Sequence, residues 1–393
     1  MAINPISYTE KVTGSFLRYQ LTRYPFADDD LYAQMKALLS LDVTRNSPLL
    51  KGPYISLSKA FHQGATVRSL IDEGLLHAHM ANLVEFPGLY GHQEDAIRSI
   101  GAGKTTLIST GTGSGKTECF LYPIVSQCLR LRDENAPAGI SAVIVYPMNA
   151  LAEDQLGRLR GFLAGTGVTF AMYVGKTPET DADVVGQVLP AGATRADYLK
   201  ALARAKEENR DTVVHPAEEI CSRDAMRKTP PRVLITNVKQ LELLLTRSKD
   251  VELFANARLD FLVFDEAHTY SGAGGAETAC LIRRLRLFCK KDADATRCIA
   301  TSATIADPSA RDGAGAQFAS RFFGVDAANV AIVGEKYADD TWSTTPVKDR
   351  PFGTNAAVLL DEIIKAVDAG PQSDVLVRAV YEKTTGSKLG PNN

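Results

Sequence analysis

The sequence predicts an α/β fold in which a parallel sheet, covered by helices on both faces, follows a mostly helical N-terminal domain. Between about residues 86 and 335, short apolar segments alternate with segments long enough for crossover helices. Several of these segments are apolar almost without interruption, as is typical of strands buried on both faces. A glycine-rich turn between a strand and a helix, and an apolar strand ending in two carboxylates, add the pattern of a nucleotide site.

The composition is that of an ordinary globular protein, with 45% hydrophobic and 23% charged residues among 393 and a net charge of −2. Because the chain is no polycation, any affinity for nucleic acid has to come from a local surface. The polar N-terminus lacks the features of a signal peptide, and no apolar run approaches the length of a membrane span. We therefore expect a cytoplasmic protein that makes no membrane contact.

We predict three regions: a helical domain at 1–85, an α/β lobe at 86–335, and a C-terminal extension or linker at 336–393. The lobe is interrupted by a long polar insertion at 176–230, and a loop of this length in a compact domain is usually functional or mobile. The predicted strands are 106–110, 142–147, 169–175, 232–237, 260–266 and 298–305.

Helix signals are fewer outside the lobe. Ser7 and Glu10 have the spacing of a capping box that opens a first helix. Further helices are predicted after Asp28–Asp30, at 194–209 within the insertion, and at 356–367.

Gly-Lys-Thr occurs twice, and only the second copy has the surroundings of a phosphate loop. Such a loop needs a strand before it and a helix after it, so that backbone N–H groups and a helix N-terminus face the phosphates. Lys104 follows a helix and precedes a strand, so we assign it to a connection. The loop that contains Lys116 has a strand before it and a helix after it, although Thr110 replaces the first glycine of the strict pattern. The predicted loop residues are Gly111, Thr112, Gly113, Ser114, Gly115, Lys116 and Thr117.

Two acids follow the apolar strand at 260–266. Buried carboxylates at a strand end are costly unless they meet a cation, and here that cation would be Mg²⁺ on a nucleotide. We predict that Thr117 and Asp265 hold the metal and that Lys116 binds the phosphates. Glu266 would orient and deprotonate the attacking water.

In this order, "GTGSGKTE", "DEAH" and "TSAT" resemble the first RecA-like lobe of superfamily 2 DEAD/DEAH-box helicases, over roughly residues 86–335. "YGHQEDAI" is similar to the Q motif of that family, which implies that Gln93 contacts the adenine base. "DEAHTYSGAGGAETACLIRRLR" and "SRDAMRKTPPRVLITN" resemble a narrower group, the large bacterial helicases of the MrfA/Hrq type. That group includes helicase subunits of phage-defence systems such as DISARM and Druantia.

The resemblance implies ATP and Mg²⁺ as cofactors and nucleic acid as a partner, with DNA favoured over RNA. It implies that His268, Ser302 and Thr304 relay the nucleotide state to the strand-binding face. The residues that would line that face are Pro147, Asn149, Gly175, Thr236 and Asn237. They follow the carboxyl ends of predicted parallel strands, where open α/β sheets place ligands, but turn chemistry explains any one of them equally well.

Motors of this family close two lobes around ATP, and the second lobe supplies an arginine finger. Only 88 residues follow "TSATI", and no comparable arginine motif is found among them. We therefore expect a second lobe on a longer chain or a partner subunit, slow hydrolysis by this chain alone, and association with other defence-system subunits. The alternatives are an ATP-gated, non-catalytic interaction scaffold within a larger complex, or a phosphate-loop NTPase unrelated to helicases.

Overall fold

The computed structural model describes residues 4–23, 25–39, 59–86, 88–111, 113–207, 212–303, 313–339 and 356–385. The chain divides into two compact units, one formed by residues 1–59 with 340–393, the other by residues 60–339. This division differs from the boundaries predicted at 85/86 and 335/336. Residues 60–85 belong to the unit that contains the lobe, and within it Gln63–Thr66 pairs antiparallel with Gly88–Tyr90 in a separate two-stranded sheet.

The bounds of the helices and strands are as follows. The helices are α1 (Pro5–Arg23), α2 (Asp29–Leu39), α3 (Val67–Asp72), α4 (Met80–Leu83), α5 (Gly91–Gly101), α6 (Lys116–Asp133), α7 (Asn149–Leu163), α8 (Arg195–Glu207), α9 (Arg223–Lys228), α10 (Val238–Thr246), α11 (Gly272–Phe288), α12 (Ala314–Phe323), α13 (Ala356–Val367) and α14 (Ser373–Thr385). The strands are β1 (Gln63–Thr66), β2 (Gly88–Tyr90), β3 (Thr105–Ser109), β4 (Ala142–Tyr146), β5 (Phe170–Tyr173), β6 (Gln187–Val188), β7 (Val214–His215), β8 (Val233–Asn237), β9 (Phe261–Phe264), β10 (Arg297–Ser302) and β11 (Val330–Gly334).

The main sheet has seven strands in the order β11-β3-β10-β9-β4-β8-β5, and every pairing is parallel. Side chains alternate between two buried clusters along each strand. Ile144 packs in the cluster beneath α5, α6 and α7, whereas its neighbours Val143 and Val145 pack in the cluster beneath α10, α11 and α12. Burial on both faces explains the uninterrupted apolar runs, since burying each large apolar side chain contributes about 1.5–3 kcal/mol to folding stability.

All six predicted strands of the lobe are confirmed, and five others were missed: β1, β2, β11 and the two-residue strands β6 and β7. β2 has three residues and β1 has four, which is too short for a periodic signal. β11 is only partly buried at one edge of the sheet, so its apolar pattern is weaker. The helices predicted in the insertion and at 356–367 are confirmed as α8 and α13.

The capping box predicted at Ser7 and Glu10 is wrong, because α1 begins at Pro5 and both residues lie inside the helix. The backbone N–H of Ser7 donates to Oδ1 of Asn4 at 3.3 Å, so the capping side chain comes from Asn4. Proline is favoured in the first turn, where its missing N–H has no partner to lose. The Asn4 Nδ2 donates to Asp361 Oδ1 at 2.8 Å, which links α1 to α13 within one unit.

The insertion has a small core of its own. β6 and β7 pair in parallel, and α8 packs on them through Tyr198, Ala201, Leu189 and Val214. Among the described helices, none is both long and apolar enough to cross a membrane.

Candidate functional site

The predicted phosphate loop joins β3 to α6, as a phosphate loop requires. Gly113 and Gly115 have φ of 80° and 79°, a left-handed conformation that favours glycine. The Ser114 hydroxyl lies 2.7 Å from Thr110 Oγ1 and 2.9 Å from the carbonyl oxygen of Gly111. Thr110 therefore braces the loop from within, which accounts for its place in the first glycine position. Thr112 lies outside the described residues.

Lys104 is confirmed as part of a helix-to-strand connection. It stands between the end of α5 at Gly101 and the start of β3 at Thr105, and its backbone N–H donates to the carbonyl of Ser99 at 3.1 Å. A lysine placed before a strand has no following helix N-terminus to help bind phosphate.

The structure brings the lysine of the loop to the paired acids. Lys116 Nζ lies 3.5 Å from Glu266 Oε1, although 150 residues separate them in the chain. Asp265 is 8% exposed and directly follows β9, which lies two strands from β3 in the sheet. The three residues predicted to be catalytic thus meet at one carboxyl edge of the sheet.

Thr301, on β10 between β3 and β9, joins the two acids, and the sequence reasoning did not single it out. Its hydroxyl donates to Oδ1 of Asp265, and its oxygen accepts from the backbone N–H of Glu266 at 3.1 Å. Thr301 opens the quoted "TSAT" segment, so the signal was present, but only the pairing of β10 with β9 identifies its partners.

The donor set suits a divalent cation. Burial raises the pKa of the Asp265 carboxyl and the nearby Glu266 charge adds to the shift, while the Thr301 hydrogen bond and Lys116 oppose it. A carboxylate in this position gains most from a cation close by. The Thr117 hydroxyl, in the first turn of α6, has no hydrogen bond within the described part of the chain. Asp265 and Thr117 therefore fit the predicted Mg²⁺ ligands.

Glu266 has a backbone conformation that few non-glycine residues adopt, with φ of 48° and ψ of 49°. Its Oε1 lies near Lys116. Its buried Oε2 lies 3.3 Å from Nδ1 of His268 and has no hydrogen bond to any described residue. The predicted relay residue His268 thus lies beside Glu266, the residue predicted to deprotonate the attacking water. Ser302 is buried at the end of β10, where its carbonyl accepts from Thr110 N–H at 3.1 Å. Thr304 lies outside the described residues.

The start of α5 lies against the phosphate loop. Gln93 Nε2 donates to the carbonyl of Gly115 at 3.1 Å, and its Oε1 accepts from Tyr90 N–H at 2.9 Å. His92 Nε2 lies 2.8 Å from the carbonyl of Ser114, and burial lowers the pKa of His92. The neutral ring therefore donates to the loop. Since both ends of the Gln93 amide have protein partners, its contact with a base stays a prediction.

Glu335 is a site residue that no motif revealed. Its Oε1 accepts from the backbone N–H of Gly111 at 2.5 Å, and its other oxygen accepts from the Tyr337 hydroxyl. Tyr337 stacks on Phe61 with ring centroids 5.6 Å apart. The carboxylate lies beside the phosphate loop because β11 pairs with β3, an arrangement that only the folded sheet creates.

The predicted nucleic-acid residues lie at the end of β8 and just after β4 and β5, at the same edge of the sheet. Asn237 Nδ2 donates to Asn149 Oδ1 at 2.7 Å, so the structure brings these two together. Pro147 is half-buried and Gly175 is exposed. Thr236 lies at the same edge, but its side chain is buried.

The side chain of Thr236 is fully buried and donates to the carbonyl of Tyr173 at 2.8 Å. It therefore joins β8 to the end of β5 instead of offering its hydroxyl at the surface. Its contact with nucleic acid stays a prediction.

The sequence model of the DEAD/DEAH box helicase family matches residues 90–189 and 199–312, which is more than half of the chain. The Druantia protein DruE of Escherichia coli is 28% identical over 422 residues, covering 87% of this chain and 22% of that protein. The uncharacterized ATP-dependent helicase YprA of Bacillus subtilis is 29% identical, covering 56% of this chain and 23% of that protein. The ATP-dependent helicase hrq1 of Schizosaccharomyces pombe is 25% identical, covering 69% of this chain and 20% of that protein.

The chain therefore spans about a fifth of the length of these relatives. The predicted resemblance to superfamily 2 helicases, including the Hrq and Druantia types, is confirmed by the match and by these relatives. The parallel sheet, the phosphate loop against two acids and the extent of the match lead to one conclusion: this chain belongs to the DEAD/DEAH box helicase family.

Proposed function

We propose that this chain is the ATP-binding motor lobe of a helicase or translocase, in which ATP hydrolysis is coupled to nucleic-acid binding. The observation that carries this proposal is the approach of Lys116 to Glu266 at 3.5 Å, beside the buried Asp265. A lysine, a phosphate loop and two acids at one sheet edge are the parts that phosphoryl transfer to water requires. DNA is favoured over RNA as the nucleic acid, as the sequence resemblance implies.

Each residue has a distinct task in this proposal. The loop N–H groups and Lys116 bind the phosphates, and Thr117 and Asp265 hold Mg²⁺. The bound Mg²⁺ would neutralise charge on the phosphates. Glu266 accepts the proton of the attacking water, and Lys116 lies 3.5 Å from that carboxylate. Asn149, Asn237, Gly175 and Pro147 form the strand-binding edge.

We further propose that a second RecA-like lobe completes the motor. The chain spans about a fifth of its relatives, so the lobe belongs to a longer chain or to a partner subunit. The setting we favour is phage defence or DNA repair, alongside other defence subunits. This is supported by the resemblance to phage-defence helicases and by the relative named as a Druantia protein.

The test is binding of nucleotide and DNA by matched variants. Lys116→Ala should abolish ATP binding, whereas Glu266→Gln should retain ATP binding and remove residual hydrolysis. Lys104→Ala is the control, because this second Gly-Lys-Thr lies in a connection.

Filter binding of single- and double-stranded DNA, with and without a non-hydrolysable ATP analogue, then tests the coupling. A change of DNA affinity with nucleotide supports the motor. If the DNA affinity is the same with and without the ATP analogue, the result would contradict the motor and indicate the ATP-gated interaction scaffold instead.

A further inference from the structure

Arg223 lies at the start of α9, which closes the insertion shortly before β8, and its guanidinium reaches the loop that follows β5. Nη2 donates to the carbonyl oxygens of Val174 at 3.1 Å and Gly175 at 2.9 Å. Nη1 lies 3.3 Å from Glu179 Oε2, and Cζ lies 4.9 Å from the centroid of the Tyr173 ring. The side chain is only 15% exposed. Arg223 is thus held in one position by the loop that it touches.

These contacts decide which way two peptide groups face. In a trans peptide, the C=O and the N–H of the next residue point in opposite directions. Because Arg223 draws the C=O groups of Val174 and Gly175 to its own side, the N–H groups of Gly175 and Lys176 point away from it. The Thr177 N–H closes the turn by donating to the Val174 carbonyl at 3.1 Å.

The two N–H groups that point away from Arg223 are available to a ligand. Gly175 and Lys176 are both exposed, and within the part of the chain that the structure describes neither N–H has a hydrogen-bond partner. Backbone N–H groups are common donors to the phosphates of nucleic acids and carry no sequence preference. Thr236 joins β8 to Tyr173, so this turn adjoins the edge that holds Asn237.

We infer that Arg223 is a positioning residue that turns the Gly175 and Lys176 N–H groups outward, as donors to one phosphate of a nucleic-acid strand. This inference rests on the proposed function, because it assigns a phosphate contact at the same strand-binding edge. It also gives the end of the insertion a task, which is to shape this edge of the lobe.

The contacts around α9 keep Arg223 in place. Its backbone N–H donates to the carbonyl of Pro178 at 2.9 Å, and the Asp224 N–H donates to the carbonyl of Glu179 at 3.0 Å. Arg227 binds the Glu179 carboxylate at 2.7 Å and the buried Asp250 at 2.7 Å. A lysine at 223 would keep the charge but lacks the planar fork that reaches two carbonyls and an acid at once.

The first experiment compares Arg223→Lys and Arg223→Gln in the full chain, using fluorescence anisotropy of a labelled oligothymidylate. Both variants should bind roughly tenfold more weakly, the order expected for losing hydrogen bonds to a charged group. The slope of log affinity against log salt should change little for Arg223→Lys, because a neutral N–H releases no counterion from a phosphate and the variant keeps its charge. Binding of a fluorescent ATP analogue should stay unchanged.

The control for lost charge is Arg284→Gln, which removes a half-exposed guanidinium that pairs with Glu242 on α10. It should leave the oligothymidylate affinity within twofold of the unaltered chain. If Arg223→Lys retains full affinity, charge and not geometry matters, and the inference is overturned. The same conclusion follows if both Arg223 variants bind normally.

A second pair of variants tests the N–H itself, in case the Arg223 variants fail to fold. Lys176→Pro removes one of the two donors, whereas Lys176→Ala keeps the N–H and removes the same charge. The proline variant should bind oligothymidylate several-fold more weakly than the alanine variant, and equal affinities would overturn the inference. If the unaltered chain itself fails to bind at low salt, the proposed function fails together with this inference.

Discussion

At the scale of single residues, the site depends on polar contacts among Asp265, Glu266, Thr301 and Lys116. Thr301 satisfies one oxygen of Asp265 and the backbone of Glu266 at the same time. A buried carboxylate without such partners would be costly, so the hydroxyl both stabilises the fold and orients the acids.

Thr301→Val should lower the free energy of unfolding by about 1–3 kcal/mol, because it leaves the buried Asp265 oxygen without its donor. Hydrolysis by a complete motor should fall in parallel, while ATP binding persists. Thr296→Val is a matched control, since the buried Thr296 hydroxyl has no partner among the described residues and its removal should be neutral or stabilising. Thermal unfolding of the two variants would show the difference, and equal stabilities would argue against the bridging role of Thr301.

The raised pKa of Asp265 predicts that the stability of the fold depends on pH. Burial raises the pKa of the Asp265 carboxyl in the folded chain above its unfolded value. The group therefore destabilises the nucleotide-free fold as pH rises from the unfolded pKa through the folded pKa. Asp265→Asn should raise the melting temperature at neutral pH, with little effect near pH 4, about the usual pKa of aspartate. MgATP should raise the melting temperature of the unaltered chain and not that of the variant. An equal increase in the variant would contradict the role of Asp265 as a metal ligand.

Glu335 places a negative charge on the N–H of Gly111, beside the proposed phosphates. Glu335→Gln should tighten ATP binding roughly fivefold, since a like-charge interaction at about 4 Å in water is worth about 1 kcal/mol. Glu134→Gln, at the opposite end of α6, is the control. Titration with a fluorescent ATP analogue would measure both, and weaker binding by Glu335→Gln would show that the carboxylate shapes the loop instead of opposing the phosphates.

At the scale of secondary-structure elements, two contacts from the C-terminal part of the insertion hold it to the lobe. α9 holds the loop after β5, and Arg160 of α7 binds both oxygens of Glu219 at 2.6 and 2.7 Å. His215, Glu219 and Cys221 lie close enough to share a metal ion, but Arg160 already occupies the carboxylate. We assign this cluster to structure.

Glu219 makes that attachment sensitive to acid. Burial alone would raise the pKa of Glu219, but the hydrogen bonds from Arg160 and His215 lower it below its usual value. An acid with a lowered pKa stabilises the fold above its unfolded pKa, and this stabilisation is lost as pH falls through the folded pKa. Arg160→Met should destabilise the fold at neutral pH by about 3–5 kcal/mol, because it leaves a buried charge unpaired.

Glu219→Gln in the Arg160→Met background is the informative control, since it removes the unpaired charge. Denaturant unfolding of the double variant should recover part of the lost stability. No recovery would mean that packing of Arg160, and not its charge, holds the insertion.

At the scale of the whole molecule, the chain carries the proposed nucleotide site, and among the described residues no arginine contacts Lys116, Asp265 or Glu266. Removing an arginine finger lowers hydrolysis by about 10³–10⁵-fold in related phosphoryl-transfer enzymes. We expect this chain alone to bind MgATP and to hydrolyse it at most very slowly, as measured by phosphate release with and without DNA. Brisk, DNA-stimulated turnover by the isolated chain would contradict the need for a second lobe.

Much of the fold was predictable because its signals are local. Runs such as "AVIVY" and "FLVF" are apolar on both faces, and a glycine-rich turn between strand and helix requires only neighbouring residues. The weak elements were missed where burial is partial, as in β11, or where strands are too short, as in β1 and β2. The buried position of Thr236 was also beyond a pattern that shows only that it ends a strand.

The sequence by itself determined the phosphate loop, the paired acids and the parallel order of strands and helices, because each arises from residues adjacent in the chain. Only the tertiary structure decided that Thr301 bridges the acids, that Glu335 lies on the phosphate loop, and that Arg223 shapes the turn after β5. These contacts join residues 36, 224 and 48 positions apart. Strand order in the sheet and the return of the insertion create them, and no local pattern records either one.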